Sequence, residues 1–226
     1  MGAILAAPAP VLLLLAKSPA PGRVKTRLTP AVTPGQAAAV AEAALADTMM
    51  TLEQVPASRR VLVLDGLPGR WLRPGWDVVP QAEGGLDRRL AAAFATVAGP
   101  APALLVGMDT PQLAARTLAE PLAPAGRAGV DAWFGPATDG GFWAFGLARP
   151  DARLAARLLV DVPMSTSTTG AALRARLAAE GLRVRELPEL TDVDTPATAD
   201  DVAALTPGSR FAATWRAARV ESALVG

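Results

Sequence analysis

Residues 11–16 read Val-Leu-Leu-Leu-Leu-Ala, residues 17–28 read Lys-Ser-Pro-Ala-Pro-Gly-Arg-Val-Lys-Thr-Arg-Leu, and residues 33–36 read Thr-Pro-Gly-Gln. An unbroken apolar run this short predicts a strand covered on both faces, as in a parallel sheet. The tetrapeptide is a capping box, with Thr33 at the N-cap, proline at the first helical position and Gln36 reaching back, so a helix to about Gln54 should follow. A buried strand, a polar loop and a helix in that order form the opening unit of a doubly wound α/β sheet. Ligands of such sheets sit beyond the carboxyl ends of the strands.

The same alternation continues along the chain. Arg60–Leu64, Ala103–Met108 and Val130–Phe134 are further buried-strand candidates, with Leu182–Leu187 a more polar one. Leu86–Val97, Leu113–Leu122, Ala152–Leu159 and Ala171–Glu180 are the intervening helix candidates. The expected fold class is α/β, a three-layer αβα arrangement with a mainly parallel sheet. Gly99-Pro100-Ala101-Pro102 is the one candidate interdomain break, but composition does not change across it. One domain over 1–226 is therefore expected, with a core at 11–205 and an appended helix at 210–225.

Composition narrows the chemistry. The chain has 226 residues, a net charge of +1, and no histidine, cysteine or tyrosine. Thiolate and imidazole mechanisms, disulfides and His- or Cys-built metal sites are thereby excluded. Acid–base work falls to Asp, Glu or Lys, and a metal would sit among oxygens, which suits Mg²⁺ or Mn²⁺. Balanced charge without long single-sign runs argues against nucleic acid as a partner. The apolar stretch Gly2–Ala16 is broken by Pro8 and Pro10 and is too short to span a bilayer, so no membrane insertion is expected. No positive charge precedes it, as a signal peptide would require, and the expected location is cytoplasmic.

Four cations, Lys17, Arg23, Lys25 and Arg27, lie on the loop after the first strand, and the chain has no other lysine. With Gly22 allowing close backbone approach, this loop suits phosphate binding, although GxxxxGK[ST] is absent. Asp109-Thr110-Pro111 and Asp194-Thr195-Pro196 each end a strand or strand-like segment, and their two carboxylates are candidate ligands of one divalent cation. The competing reading is an Asx-turn or helix cap at each. Asp139, followed by Gly140, Gly141, Phe142 and Trp143, could orient a hydroxyl at an acceptor site; alternatively it marks a glycine turn with both aromatics in the core. Gln81 and Gly84 could read a nucleobase edge, or form a tight turn. Ser165 and Thr166 open a hydroxyl cluster that could hold an acceptor or simply cap a helix.

In this order AKSPAPGRVKTRL, GMDTPQL, GPATDGGFWAFGL and LPELTDVDTPATADD resemble the bacterial glycosyltransferase A, or radical-SAM/selenodomain-associated transferase 1, family (DUF2064-like) of the nucleotide-diphospho-sugar transferase superfamily. The resemblance implies a GT-A fold with one antiparallel strand in a mixed sheet. It also implies a nucleotide pocket over the first loop, Asp109 as the leading metal ligand and Asp194 as the second. Gly85, Asp87, Met108 and Met164 depart from the family pattern.

The first functional expectation is a metal-dependent glycosyltransferase using a nucleotide-sugar donor and a small-molecule acceptor. Asp109 and Asp194 would hold the metal, Lys25 and Arg27 would neutralise the leaving nucleotide, and Asp139 would orient or deprotonate the acceptor. Lys17, Gly22, Arg23, Gln81 and Gly84 would complete the nucleotide site, with Gly140, Gly141, Trp143, Ser165 and Thr166 at the acceptor. The second is a nucleotidyltransferase transferring NMP from an NTP to a phosphorylated acceptor with pyrophosphate release, because KTRL resembles the basic stretch of guanylyltransferases that act on phospho-acids. The third is a non-catalytic nucleotide-binding protein. The alanine-rich surface leaves a homodimer open.

Overall fold

A computed structural model describes residues 8–29 and 31–225, so part of the Gly2–Ala16 stretch lies outside the described residues. The first strand, β1 (Val11–Lys17), leads through a loop with a short 3-10 turn at Thr26–Leu28 into helix α1 (Pro34–Glu53). The capping box forms: the Thr33 hydroxyl accepts from Gln36 N at 3.3 Å, and Thr33 N donates to Gln36 Oε1 at 2.8 Å. The chain continues through β2 (Arg59–Asp65), β3 (Asp77–Pro80), α2 (Leu86–Ala95), β4 (Ala103–Gly107) and α3 (Ala115–Leu122). It then forms β5 (Ala132–Pro136), β6 (Phe142–Leu147), α4 (Ala152–Leu159), α5 (Thr169–Ala179), β7 (Val184–Glu186), α6 (Pro196–Leu205) and α7 (Arg210–Val225).

The strands make one seven-stranded sheet in the order β3-β2-β1-β4-β6-β5-β7. β6 runs antiparallel to both β4 and β5, and every other pairing is parallel. The fold is thus the mixed, mainly parallel α/β sheet that was expected. Order reverses at β1, which pairs with β2 on one side and β4 on the other, opening a crevice beyond their carboxyl ends. Strand periodicity divides β1 between two cores: Leu12, Leu14 and Ala16 pack on one face of the sheet, Val11 and Leu13 on the other.

Two strands were not legible from residue pattern. Asp77–Pro80 is a four-residue edge strand, and Phe142–Leu147 carries aromatics on both faces, so neither shows alternation. Helix α6, Pro196–Leu205, was anticipated only as something the second DTP might cap.

A third core lies to one side of the sheet. Leu28 and Val32 join Ala37, Val40 and Ala44 of α1, Val193, Ala199 and Val202 around α6, and Phe211, Ala212 and Trp215 of α7. The C-terminal helix packs into this core through Phe211, Ala212 and Trp215. Asp47 of α1 accepts from Arg210 N and Phe211 N at 3.3 and 2.8 Å and so caps α7. Trp215 Nε1 donates to Asp200 Oδ1 of α6 at 2.7 Å. Among the described residues no helix is long and apolar enough to cross a membrane.

Candidate active site

An open cleft of about 720 Å³ lies at the carboxyl ends of β1 and β4. Its lining includes Lys17, Arg23, Lys25 and Arg27 of the first loop, Gln81, Gly84 and Arg89 around α2, and Asp109, Asp139, Asp192 and Asp194. Five chain segments that are distant in sequence thus meet at one crevice.

Lys25 is at its centre. It adopts φ 49° and ψ 37°, its side chain is only 7% exposed, and its ammonium lies 2.5 Å from Asp109 Oδ1 and 3.2 Å from Asp194 Oδ1. Burial pulls against the charged form, but the two carboxylates together outweigh it and hold the Lys25 pKa above the ordinary lysine value. Arg27 is 73% exposed and reaches Asp194 Oδ2 at 3.4 Å. Lys17 is exposed at the end of β1, and its backbone N–H points to Met108 Sδ. Gly22 supplies a left-handed turn at φ 74° but is not part of the lining.

The two DTP segments do not sit at equivalent positions. Asp109 follows β4, as expected, whereas Asp194 follows no named strand and directly precedes α6. Thr195 and not Asp194 caps that helix, through a reciprocal pair with Thr198, and the Asp194 carboxylate is paired with Lys25 and Arg27 instead. The Asp109 carbonyl accepts from Val193 N at 2.9 Å, which stitches the two segments together.

Asp139 opens an Asx-turn, its Oδ1 accepting from Gly141 N at 2.8 Å, and the residue is exposed at the cleft. Gly140 is at φ 87°, where an added Cβ would lie 2.1 Å from Ser167 O. It braces the turn against the Ser165–Gly170 segment instead of lining the cleft. Gly141 does line it. Trp143 borders the cleft but is buried, and its indole N–H donates to Pro188 O at 2.9 Å. Ser165, at φ 57°, and Thr166 are exposed on the lining.

Gln81 lines the cleft with its amide already engaged. Nε2 donates to Ala16 O and Val63 O at 2.8 and 3.2 Å, and Oε1 accepts from Arg89 Nη1 at 3.2 Å. Its side chain ties β1, β2 and α2 together, so its amide is not free to read a base edge. Arg89, which sequence reasoning missed, also binds Asp65 Oδ2 at 3.1 Å.

Asp192 was missed too, although its spacing from Asp194 was a signal: in extended chain, residues i and i+2 share a face. Burial, with Asp109 and Asp139 nearby, pushes its pKa up to about 7. Its Oδ1 is buried without a hydrogen-bond partner, as are Thr110 Oγ1 and Gln112 Oε1. An acid whose pKa is raised on folding contributes stability below its unfolded value of 3.8 that is lost as pH rises through 7. In chelator-treated protein, Asp192→Asn should be more stable than wild type at pH 8 by about 2 kcal/mol, with the gap closing towards pH 4. Thermal melts across that range check this; parallel curves would show that Asp192 ionises freely.

The donor set suits a hard divalent cation. Asp109 and Asp194 direct oxygens to one point, marked by the Lys25 ammonium, and Asp192 has an unpaired buried oxygen beside them. No group of three or more acidic side chains closes into a cage among the described residues. The arrangement fits an ion held by one or two carboxylates and completed by substrate phosphates, the usual mode for magnesium.

The fold recurs in known structures. A candidate nucleotide-diphospho-sugar transferase from Desulfovibrio desulfuricans G20 is 24% identical and superposes with a TM-score of 0.81, covering 92% of this chain and 94% of that one. Rv0371C of Mycobacterium tuberculosis H37Rv, in complex with manganese, is 21% identical with a TM-score of 0.54, covering 86% and 97%. A CMP:2-keto-3-deoxy-manno-octonic acid synthetase complexed with CTP is 15% identical with a TM-score of 0.50, covering 88% and 98%. No curated protein matches the sequence at a significant level. Residues 36–166, more than half the chain and including Gln81, Asp109 and Asp139, match the bacterial family described as "Uncharacterized protein conserved in bacteria (DUF2064)", and to that family the chain belongs.

Proposed function

We propose that the protein is a nucleotidyltransferase, moving a nucleoside monophosphate from an NTP to a small acceptor with release of pyrophosphate. The observation that carries this reading is the cationic loop: Lys17, Arg23, Lys25 and Arg27 line the same cleft as Asp109 and Asp194, and Lys25 touches both. An NTP brings about four negative charges on three phosphates and a nucleotide-diphospho sugar about two on two, and a run of four cations suits the more highly charged chain better. The acceptor oxygen attacks the α-phosphorus, the bond from that phosphorus to the β-phosphate oxygen breaks, and its electron pair leaves with pyrophosphate. Lys25 and Arg27 neutralise that departing charge, and Lys17 and Arg23 hold the outer phosphates.

Asp109 and Asp194 would hold Mg²⁺ or Mn²⁺, which supplies Lewis-acid stabilisation at the phosphates when bound. Main-chain groups around Gly84 face the base. Ser165, Thr166 and Gly141 flank the acceptor, and Asp139, whose Oδ2 lies outside the Asx-turn, accepts a hydrogen bond from it. An acceptor that attacks through an already ionised phosphate or carboxylate needs no dedicated base. Such a reaction belongs in the cytoplasm, where NTPs are kept.

Glycosyl transfer from a nucleotide sugar is the second reading, favoured by the similarity to the Desulfovibrio protein. The two reactions differ in product. Purified protein is incubated with Mg²⁺ or Mn²⁺, each common NTP or nucleotide sugar, and a panel of phosphorylated and carboxylated acceptors. Acceptor-dependent pyrophosphate release from one NTP is expected, preceded by a rise in melting temperature of roughly 5–10 °C at 100 times Kd. Release of a nucleoside diphosphate from a sugar donor would install glycosyl transfer instead, and binding without turnover would leave a non-catalytic nucleotide-binding protein.

A further inference from the structure

Lys25 is held more tightly than a phosphate-binding cation requires. Arg27, two residues on, is largely exposed, whereas the Lys25 side chain is 7% exposed and adopts a backbone conformation, φ 49°, that L residues rarely occupy. That conformation turns the side chain inward, between carboxylates contributed by the end of β4 and the start of α6. Without a positive charge between them, Asp109 and Asp194 would repel each other across a partly desolvated gap. The ammonium thus stands at the point where the oxygens of both carboxylates converge.

Resting on the assignment of Asp109 and Asp194 as divalent-cation ligands, we propose that Lys25 is the resident occupant of the cation position in the nucleotide-free protein. The divalent ion and the ammonium are then alternative occupants of one place. A magnesium ion needs oxygens at about 2.1 Å, and an ammonium sharing the same Asp109 oxygen at 2.5 Å would put two cations side by side without screening. The arriving ion therefore expels the ammonium, whose four-carbon stem lets it move while the backbone stays in place. The expelled charge is satisfied only when a phosphate chain lies in the cleft. Divalent ion and nucleotide consequently bind with positive coupling, and the ion alone binds weakly.

Because Lys17 and Lys25 are the only lysines, the exchange can be read directly by residue-resolved amine labelling. In chelator-treated protein, Lys25 should label at least tenfold more slowly than exposed Lys17. Saturating Mn²⁺ should bring its rate to within about threefold of Lys17. In parallel, calorimetric titration with Mn²⁺ alone should give at least tenfold tighter binding to Lys25→Met than to wild type, with Lys25→Gln as a second variant should the first not fold. Asp109→Asn should abolish binding in every background. If Mn²⁺ binding requires Asp109 but Lys25 stays protected and neither variant gains affinity, the ammonium does not hold the ion's place and this proposal is overturned while the metal site stands. If Mn²⁺ binding is indifferent to Asp109, the metal-site assignment falls and the proposal with it.

Discussion

Asp109→Asn should lower nucleotide-dependent turnover about 10³-fold, equivalent to about 4 kcal/mol of transition-state stabilisation. The replacement keeps the shape of the side chain and removes its charge. It leaves the main-chain seam intact, because the bond to Val193 N is made by the Asp109 carbonyl. The carboxylate is 39% exposed, and Lys25 keeps Asp194 at 3.2 Å, so the fold loses little. A cost of about 1–2 kcal/mol, lowering Tm by about 3–6 °C, is the expected structural effect. Turnover measured at least 20 °C below the melting midpoint then reports on chemistry and not on unfolding. A variant within threefold of wild type would place the reaction elsewhere in the cleft.

The second large effect is on stability. Trp215→Ala should cost about 3–5 kcal/mol and lower Tm by roughly 6–20 °C. The indole is fully buried in the third core, and its N–H is bonded to Asp200. That core has a functional corollary. Leu28, just after the cationic loop, and Val193, between Asp192 and Asp194, are buried in the same cluster as Trp215. The cavity should therefore loosen both site loops, which hydrogen exchange at Leu28 and Val193 would register as lost protection. Trp215→Phe should recover part of the loss. A shift under about 2 °C with unchanged exchange would show α7 to be peripheral after all.

Some features were legible because their causes are local. The capping box at Thr33, the apolar run at Val11–Ala16 and the cationic loop between them each follow from neighbouring residues, and each stands where the sequence predicts. Short strands fared worse. Asp77–Pro80 is held by its pairing with β2, and Phe142–Leu147 by β4 and β5 on either side, so the stabilising partner of each lies elsewhere in the chain. The C-terminal helix is similar: its residues form a helix readily, but the carboxylate that caps it, Asp47, is 163 residues away.

The site divides along the same line. Composition settled that thiolate and imidazole chemistry are absent, since the sequence has no histidine or cysteine, and left carboxylates, cations and hydroxyls as the polar groups to be placed. Which of them meet was decided by tertiary structure. Lys25 and Asp194 are separated by 169 residues, and only the crossing of the sheet at β1 and the stacking of α1, α6 and α7 behind the loops close that distance to 3.2 Å. The spacing of Asp192 from Asp194 could point to the residue, but nothing in the sequence shows that it is buried. Burial among other carboxylates, a property of the folded chain alone, raises its pKa.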